Sequence, residues 1–226
     1  ATAARTASTT SASGSPTAPG GSSSAAGNPC APSPTVSASG SGSGGLDILG
    51  DDCEDSRLEL HDGFQNAPRC VGTAFGEVGP ADKNPSLLIT TAPQRVRVGQ
   101  GFTLQISTRN LVRDRFLAAA AGGYYVERSF LDPSGLQRGH FHTACRMLQS
   151  TSVAPDPAPV PAFFKAVEDG GGGAQPDTVT VEVPTGLPSA GIAQCAAWAG
   201  DGSHRLPMMQ RAKQTPAFDV VRSEVD

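Results

Sequence analysis

Residues 95–107 read RVRVGQGFTLQIS, and this stretch decides the fold class. Two valines alternate with arginines before the turn at residues 99–101, and Phe102, Leu104 and Ile106 alternate with polar residues after it. Alternation with a period of two is the pattern of antiparallel strands that bury one face. The stretch therefore predicts two strands joined by a tight turn, with one face directed into a core.

Strand-like segments recur along the rest of the chain and are separated by turns rich in Gly and Pro. The further predicted strands are 124–130, 137–148, 161–166, 178–183, 191–199 and 217–224. No segment has the pattern of an amphipathic helix of three turns. Many short strands with few helices predict a mainly β fold, a single antiparallel, immunoglobulin-like β-sandwich over residues 85–226.

The first 46 residues differ in composition from the rest. Ala, Ser, Thr, Gly and Pro account for 41 of them, and Arg5 carries the only charge. Such a segment has too little apolar surface to offset the entropy of ordering it, so we expect it to be disordered. Its composition is typical of O-glycosylated stalks, and the lack of an initial Met is expected of a chain that has lost a signal peptide. Residues 47–84 follow as an irregular lead-in to the sandwich.

The five cysteines predict two disulfides and one free thiol. Cys53 and Cys70 lie in the lead-in, where a disulfide between them would close a short loop. Cys145 and Cys195 fall on the apolar faces of two predicted strands, so a second disulfide is expected to join strands across the core. Cys30 is left over in the first segment, where pairing with a second molecule would give a dimer.

Composition and motifs exclude several functional classes. The formal net charge of −4 is unlike the strongly basic surface of a nucleic-acid-binding protein. The chain has no apolar run long enough to span a membrane. It also has no Gly-x-Ser-x-Gly nucleophile motif, and its carboxylates beside turns do not suggest a glycosidase pair.

Two histidines on one predicted strand are the strongest candidates for chemistry. His140 and His142 are separated by one residue, so their side chains leave the same face of the strand about 7 Å apart. Two such imidazoles can hold a copper or zinc ion, and His204 is the candidate for a third ligand. Asp201 and Asp219 are candidate oxygen ligands or hydrogen-bond acceptors for the histidines.

Other roles stay open for the same region. The histidines could serve hydrogen bonding within the fold, with Tyr124, Tyr125 and Trp198 as neighbours, or proton-transfer catalysis. These three aromatic residues are in turn a candidate platform for stacking on sugar, or they fill the core.

Short motifs follow one another in a definite order between residues 50 and 224. They are Asn110-Leu111, Tyr124-Tyr125, Gly139-His140-x-His142, Phe163-Phe164-Lys165, Gly186-Leu187-Pro188 and the stretch 203–207, with Cys53 and Cys70 ahead of them. This order resembles a family of secreted fungal proteins without an established activity, some of them mislabelled as ribosomal proteins. The resemblance implies a secreted protein with a sandwich-like fold.

The chain departs from that family at two places. An Asn-His-Gln-Pro motif of the family is altered here around His204, and a second family histidine is replaced within residues 212–215. If that histidine ever served a metal, this chain has lost a ligand.

These observations predict a secreted protein, extracellular or bound to the cell wall, that acts as a non-enzymatic binding or structural module. Its expected partner is a cell-wall polysaccharide or another extracellular protein. The first alternative is a mononuclear copper or zinc protein that uses His140, His142 and His204. The second alternative is a carbohydrate-active protein.

Overall fold

The computed structural model describes residues 49–226, which form strands and loops with almost no helix. The strands are β1 (Ser86–Thr91), β2 (Arg95–Val96), β3 (Phe102–Arg109), β4 (Leu111–Val112), β5 (Gln137–Arg138), β6 (His140–Leu148), β7 (Phe163–Val167), β8 (Gly172–Gly173), β9 (Asp177–Val183), β10 (Gly191–Gly200) and β11 (Phe218–Val225). Two 3₁₀ turns, Ala81–Lys83 and Ala119–Ala121, are the helical elements of these residues, and neither could cross a membrane. The predicted stalk, residues 1–46, and Cys30 within it lie outside the described residues.

Two sheets pack face to face. The smaller has the strand order β1-β3-β9, and the larger has the order β2-β11-β10-β6-β7. Neighbouring strands in both sheets are antiparallel, except that β2 runs parallel to β11. A third, short sheet with the order β5-β4-β8 continues from the end of β3 after a single residue.

The core lies between the two sheets and is built from the inward residues of the alternating pattern. Leu104 and Ile106 of β3 and Val181 of β9 face Phe141 of β6 and Ala197 of β10, and all five are fully buried. Burying each of the larger side chains contributes about 1.5–3 kcal/mol to folding. The prediction of a mainly β, antiparallel sandwich is confirmed.

The predicted strand over 124–130 is wrong. Within it only Ser129 pairs, through an isolated bridge to Gly76. Tyr125 has a φ of 56° and donates its amide to the carbonyl of Ser203 in another loop. A residue with positive φ cannot continue a strand. The two adjacent tyrosines, a residue type common in strands, therefore form a loop instead.

The predicted strand over 137–148 is divided by Gly139 into β5 and β6, which belong to different sheets. A side chain on Gly139 would overlap the carbonyl oxygen of Gly200 on β10. The glycine therefore lets β6 begin in close contact with β10, and this contact sets His140 directly opposite Gly200.

Both predicted disulfides are present within the chain. Cys53–Cys70 closes the lead-in, with 6.0 Å between the Cα atoms. Cys145 and Cys195 are paired directly across β6 and β10, with 4.1 Å between the Cα atoms. The expectation that this bridge crosses the core is wrong, because both cysteines belong to neighbouring strands of one sheet. The bridge instead fixes the register of the two strands that carry the candidate site.

Candidate metal centre

Three histidines from two parts of the chain meet at one end of the β6–β10 strand pair. His140 and His142 leave β6 on the same side, and both are buried. The chain turns directly after Gly200, the last residue of β10, and returns His204 to the two strand histidines. The grouping of His140, His142 and His204 that the sequence suggested is therefore present in the structure.

One nitrogen of each ring faces the other two. These atoms are Nε2 of His140, Nε2 of His142 and Nδ1 of His204. Their separations are 2.9 Å between His140 and His142, 3.2 Å between His140 and His204, and 3.4 Å between His142 and His204. A point equidistant from the three nitrogens lies about 1.8 Å from each, so all three could reach one ion at the usual bond length of about 2.0–2.1 Å.

Two backbone carbonyls determine where two of the rings carry their protons. Nδ1 of His140 lies 3.0 Å from the carbonyl oxygen of Arg115, and Nε2 of His204 lies 2.5 Å from that of Leu117. A carbonyl oxygen can only accept, so each ring in its neutral form donates there and keeps a bare nitrogen toward the cluster. Two lone pairs thus face each other across 3.2 Å.

The carbonyls come from one segment without regular secondary structure, and hydrogen bonds to the two ends of the site hold it in place. The amide of Arg115 donates to the carbonyl of Gly139 at 3.1 Å, and the amide of Leu117 donates to that of Gly202 at 2.8 Å. Arg115 and Leu117 are two residues apart, and both of their carbonyls reach the cluster. Acceptors in this position orient histidine ligands in metal sites.

The third ring cannot satisfy the remaining nitrogens. Nδ1 of His142 is buried and has no hydrogen-bond partner among the described residues. The ring is flanked by Trp198 and Phe164, whose centroids are 5.2 and 5.3 Å away. A proton on Nδ1 would have no acceptor, and a proton on Nε2 could serve only one facing lone pair well. No distribution of protons over three neutral rings satisfies every nitrogen.

Electrostatics favours the neutral form of the strand histidines. Burial lowers the pKa of His140 to about 4 and the pKa of His142 to about 3, and the neighbouring histidines add to both shifts. His140 and His142 are therefore neutral near neutral pH, and neither carries a second ring proton that could bridge the facing nitrogens. Neutral imidazole is also the form that binds a metal ion.

The loop that carries His204 is held by Asp201. His204 has a φ of 73°, which is uncommon for a residue other than glycine. One carboxylate oxygen of Asp201 accepts the amides of Ser203 and Arg205 at 2.9 and 3.0 Å, and the other accepts Nε of Arg205 at 3.0 Å. Burial raises the pKa of the Asp201 carboxyl, and the contact with Arg205 opposes that shift. Asp201 is thus an acceptor that shapes the loop.

The candidate Asp219 and the fourth histidine, His61, do not join the cluster. The carboxylate of Asp219 accepts the amide of Ile89 on β1 at 2.9 Å. His61 lies beyond the tyrosine pair, with its ring centroid 5.8 Å from that of Tyr124 and 5.8 Å from that of Tyr125. Within the described residues the candidate ligand set is three histidines without a carboxylate.

The three residues of the proposed aromatic platform surround the cluster and are half-buried. Tyr124 and Tyr125 stack on each other with 3.8 Å between ring centroids, and the ring of Tyr124 lies 5.9 Å from that of His204. Burial raises the pKa of Tyr124, with the Tyr125 hydroxyl adding to the shift. Trp198 pairs across the strands with His142. All three residues are therefore partly open to solvent, and their role as a platform for stacking on sugar stays a prediction.

Phe116, which the sequence did not single out, packs edge-on against His140 and His204 at centroid distances of 4.9 and 5.0 Å. No motif or periodicity marks it, because it lies in a loop that only the fold brings to the site. Gly200 was not singled out either. Because it has no side chain, it leaves space beside Nε2 of His140.

Fold and site together define a disulfide-linked β-sandwich with a three-histidine cluster at the end of one strand pair. The chain belongs to the CLU5d N-terminal domain family, whose family model matches residues 87–226. The matched range includes all three histidines. None of the curated proteins matches this chain.

Likeness to solved structures is weak. A mutant β-glucosidase from Listeria innocua, solved in complex with laminaribiose, shares 10% identity over 63% of this chain, with a TM-score of 0.34. This chain spans only 16% of that enzyme. The CARDB domain of a Pyrococcus furiosus protein, solved in complex with di-metal ions, shares 10% identity over 62% of this chain and 91% of its own, with a TM-score of 0.33.

Proposed function

We propose that this protein is an extracellular binding module that holds a single copper or zinc ion between His140, His142 and His204. The observation that carries the proposal is the pair of bare nitrogens on His140 and His204, which face each other at 3.2 Å. They are bare because the N–H group of each neutral ring donates to a backbone carbonyl on the other side of the ring. A cation between the rings would convert this repulsion into three metal–nitrogen bonds.

The donor set favours these two metals. Imidazole nitrogen suits zinc and copper, whereas calcium and magnesium prefer oxygen ligands. Three protein ligands leave a further coordination position open, as in metal sites that take a water molecule or an external ligand. The two disulfides support placement outside the cell, since such bonds persist in oxidising compartments. The O-glycosylated stalk, fungal origin and a dimer through Cys30 stay predictions.

Titration of the metal-free protein with copper(II) and zinc(II) tests the proposal. Trp198 is the only tryptophan of the chain and its ring lies 5.2 Å from that of His142, so copper bound at the cluster should quench its fluorescence. We expect a Kd below about 1 µM for at least one of the two metals, measured by calorimetry alongside the fluorescence.

Substitutions identify the ligands. His142→Ala should weaken binding by at least about 100-fold, because even residues that only orient a ligand contribute 10–100-fold. His61→Ala is the matched control, since this fourth histidine lies outside the cluster. The metal Kd of this variant should equal that of the wild type. Melting curves confirm that each variant is folded. A Kd near 1 mM, or equal effects of the two substitutions, would overturn the proposal.

A further inference from the structure

A concave surface opens beside the three-histidine cluster, and we call it the aromatic cleft. It encloses about 640 Å³ and is lined by Phe116, Tyr124, Phe164 and Trp198, together with His142 and His204. This volume lies within the range of small-molecule sites, about 300–1,000 Å³. Because two of the three ligands line the cleft, an occupant of the cleft can approach the ion.

The cleft is built for an uncharged occupant. Among the described residues that line it there is no Asp, Glu, Lys or Arg. In the metal-free protein a charged group placed against these walls would lose hydration without gaining an ion pair, which is costly. The polar side chains of the lining include the neutral amides of Gln65 and Asn66, which can exchange hydrogen bonds with hydroxyl groups, although the Asn66 amide also donates to the Asp62 carboxylate at 3.2 Å.

The aromatic side chains favour an occupant with flat apolar faces. Phe164 is 56% exposed although it is a large apolar residue, and Trp198 is half-buried. Their rings lie on either side of His142, with centroids 5.3 and 5.2 Å from it. A sugar ring offers C–H faces that stack on such rings and hydroxyl edges that bond to amides.

We propose that the aromatic cleft binds an uncharged oligosaccharide, with a sugar face stacked on Phe164 or Trp198 and one hydroxyl directed toward the ion. This inference rests on the proposed metal site for the hydroxyl contact, whereas the stacking contacts do not require the ion. Metal and saccharide should therefore strengthen each other's binding by the same factor, because coupling between two sites is reciprocal.

Emission from Trp198, the only tryptophan, reports occupation of the cleft. The full chain, metal-free and zinc-loaded, is titrated with cellohexaose, xylohexaose, mannohexaose and N-acetylated chitohexaose, and with hexagalacturonate as the charged comparison. We expect at least one uncharged saccharide to shift the emission with a Kd below about 1 mM in both forms, and to bind more tightly to the zinc-loaded form.

Phe164→Ala should weaken saccharide binding by about 3- to 10-fold, the range of a stacking contact, and leaves the tryptophan in place. Phe75→Ala is the matched control, because Phe75 is 76% exposed and does not line the cleft. The inference is overturned if no uncharged saccharide shifts the emission, if hexagalacturonate binds the metal-free protein more tightly than every uncharged saccharide, or if the two variants behave alike.

The two proposals fail in different ways. Copper quenching without a saccharide response removes only the saccharide site. A saccharide response in the metal-free protein without metal binding removes the metal site and leaves the stacking contacts standing.

Discussion

Gly200→Ala should separate metal binding from folding. Gly200 lies opposite His140 in the β6–β10 pair, and a Cβ there would lie 3.0 Å from Nε2 and 3.1 Å from Cε1 of His140. Ordinary contacts of a Cβ atom begin near 3.4 Å, so the ring must retreat by a few tenths of an ångström. The ring has little freedom to do so, since it is fully buried and donates to Arg115.

The structure sets the magnitude of the effect. Overpacking of a core costs about 1–3 kcal/mol, and replacing Gly by Ala regains about 0.4–1 kcal/mol from the unfolded chain. We therefore expect the metal-free variant to lose only about 1 kcal/mol of unfolding free energy. Metal sites tolerate errors of about 0.2 Å in ligand distance, so the displaced His140 should raise the metal Kd by at least about tenfold.

Urea denaturation of the metal-free protein and calorimetric titration with copper and zinc measure the two effects separately. Gly72→Ala is the control, because its added Cβ would meet only Sγ of Cys53, at an ordinary 3.8 Å. A Kd for Gly200→Ala within twofold of the wild type would refute the argument, since the methyl group would then not reach the ligand nitrogen.

Three further results are expected. Removing the second disulfide with Cys145→Ala and Cys195→Ala opens a link across 50 residues and should lower the unfolding free energy by about 2–4 kcal/mol in urea; a loss under about 1 kcal/mol would contradict its role. Asp201→Asn places an amide nitrogen against a guanidinium donor in the third ligand's loop, so both the melting temperature and metal affinity should fall, and unchanged affinity would show that the loop does not position the ligand. Lowering the pH from 8 to 5 should destabilise the metal-free protein by about 2 kcal/mol for each of His140 and His142, because their folded pKa values lie below 6.5 and the unfolded chain takes up protons first. The contribution of the two neutral histidines to the unfolding free energy is complete above pH 6.5 and is lost toward pH 4. Melting temperatures that do not change over that range would contradict a neutral form of His140 and His142.

The sequence was sufficient for those parts of the fold that depend on local patterns. Alternation in β3 and β6 identifies the strands and the inward face, since period two is a property of the strand itself. The spacing of His140 and His142 likewise requires a shared face. The choice of His204 depended on counting histidines, and the fold supplies the turn after Gly200 that makes it correct.

Other features could not be read from the sequence because they arise from contacts between distant segments. The carbonyls of Arg115 and Leu117 belong to the backbone, which every residue has, so no residue type reveals their role. Which sheet contains Cys145 and Cys195 depends on strand order, and the tyrosine pair resembles a strand until its amides are seen to bond to other loops.

X-ray absorption spectroscopy of the copper- or zinc-loaded protein tests the central claim most directly. We expect three imidazole nitrogens at about 2.0–2.1 Å from the ion, and the loss of one imidazole from the spectrum of His204→Gln. A bound ion with fewer than two imidazole ligands, or a spectrum that this substitution does not change, would contradict a metal site at His140, His142 and His204.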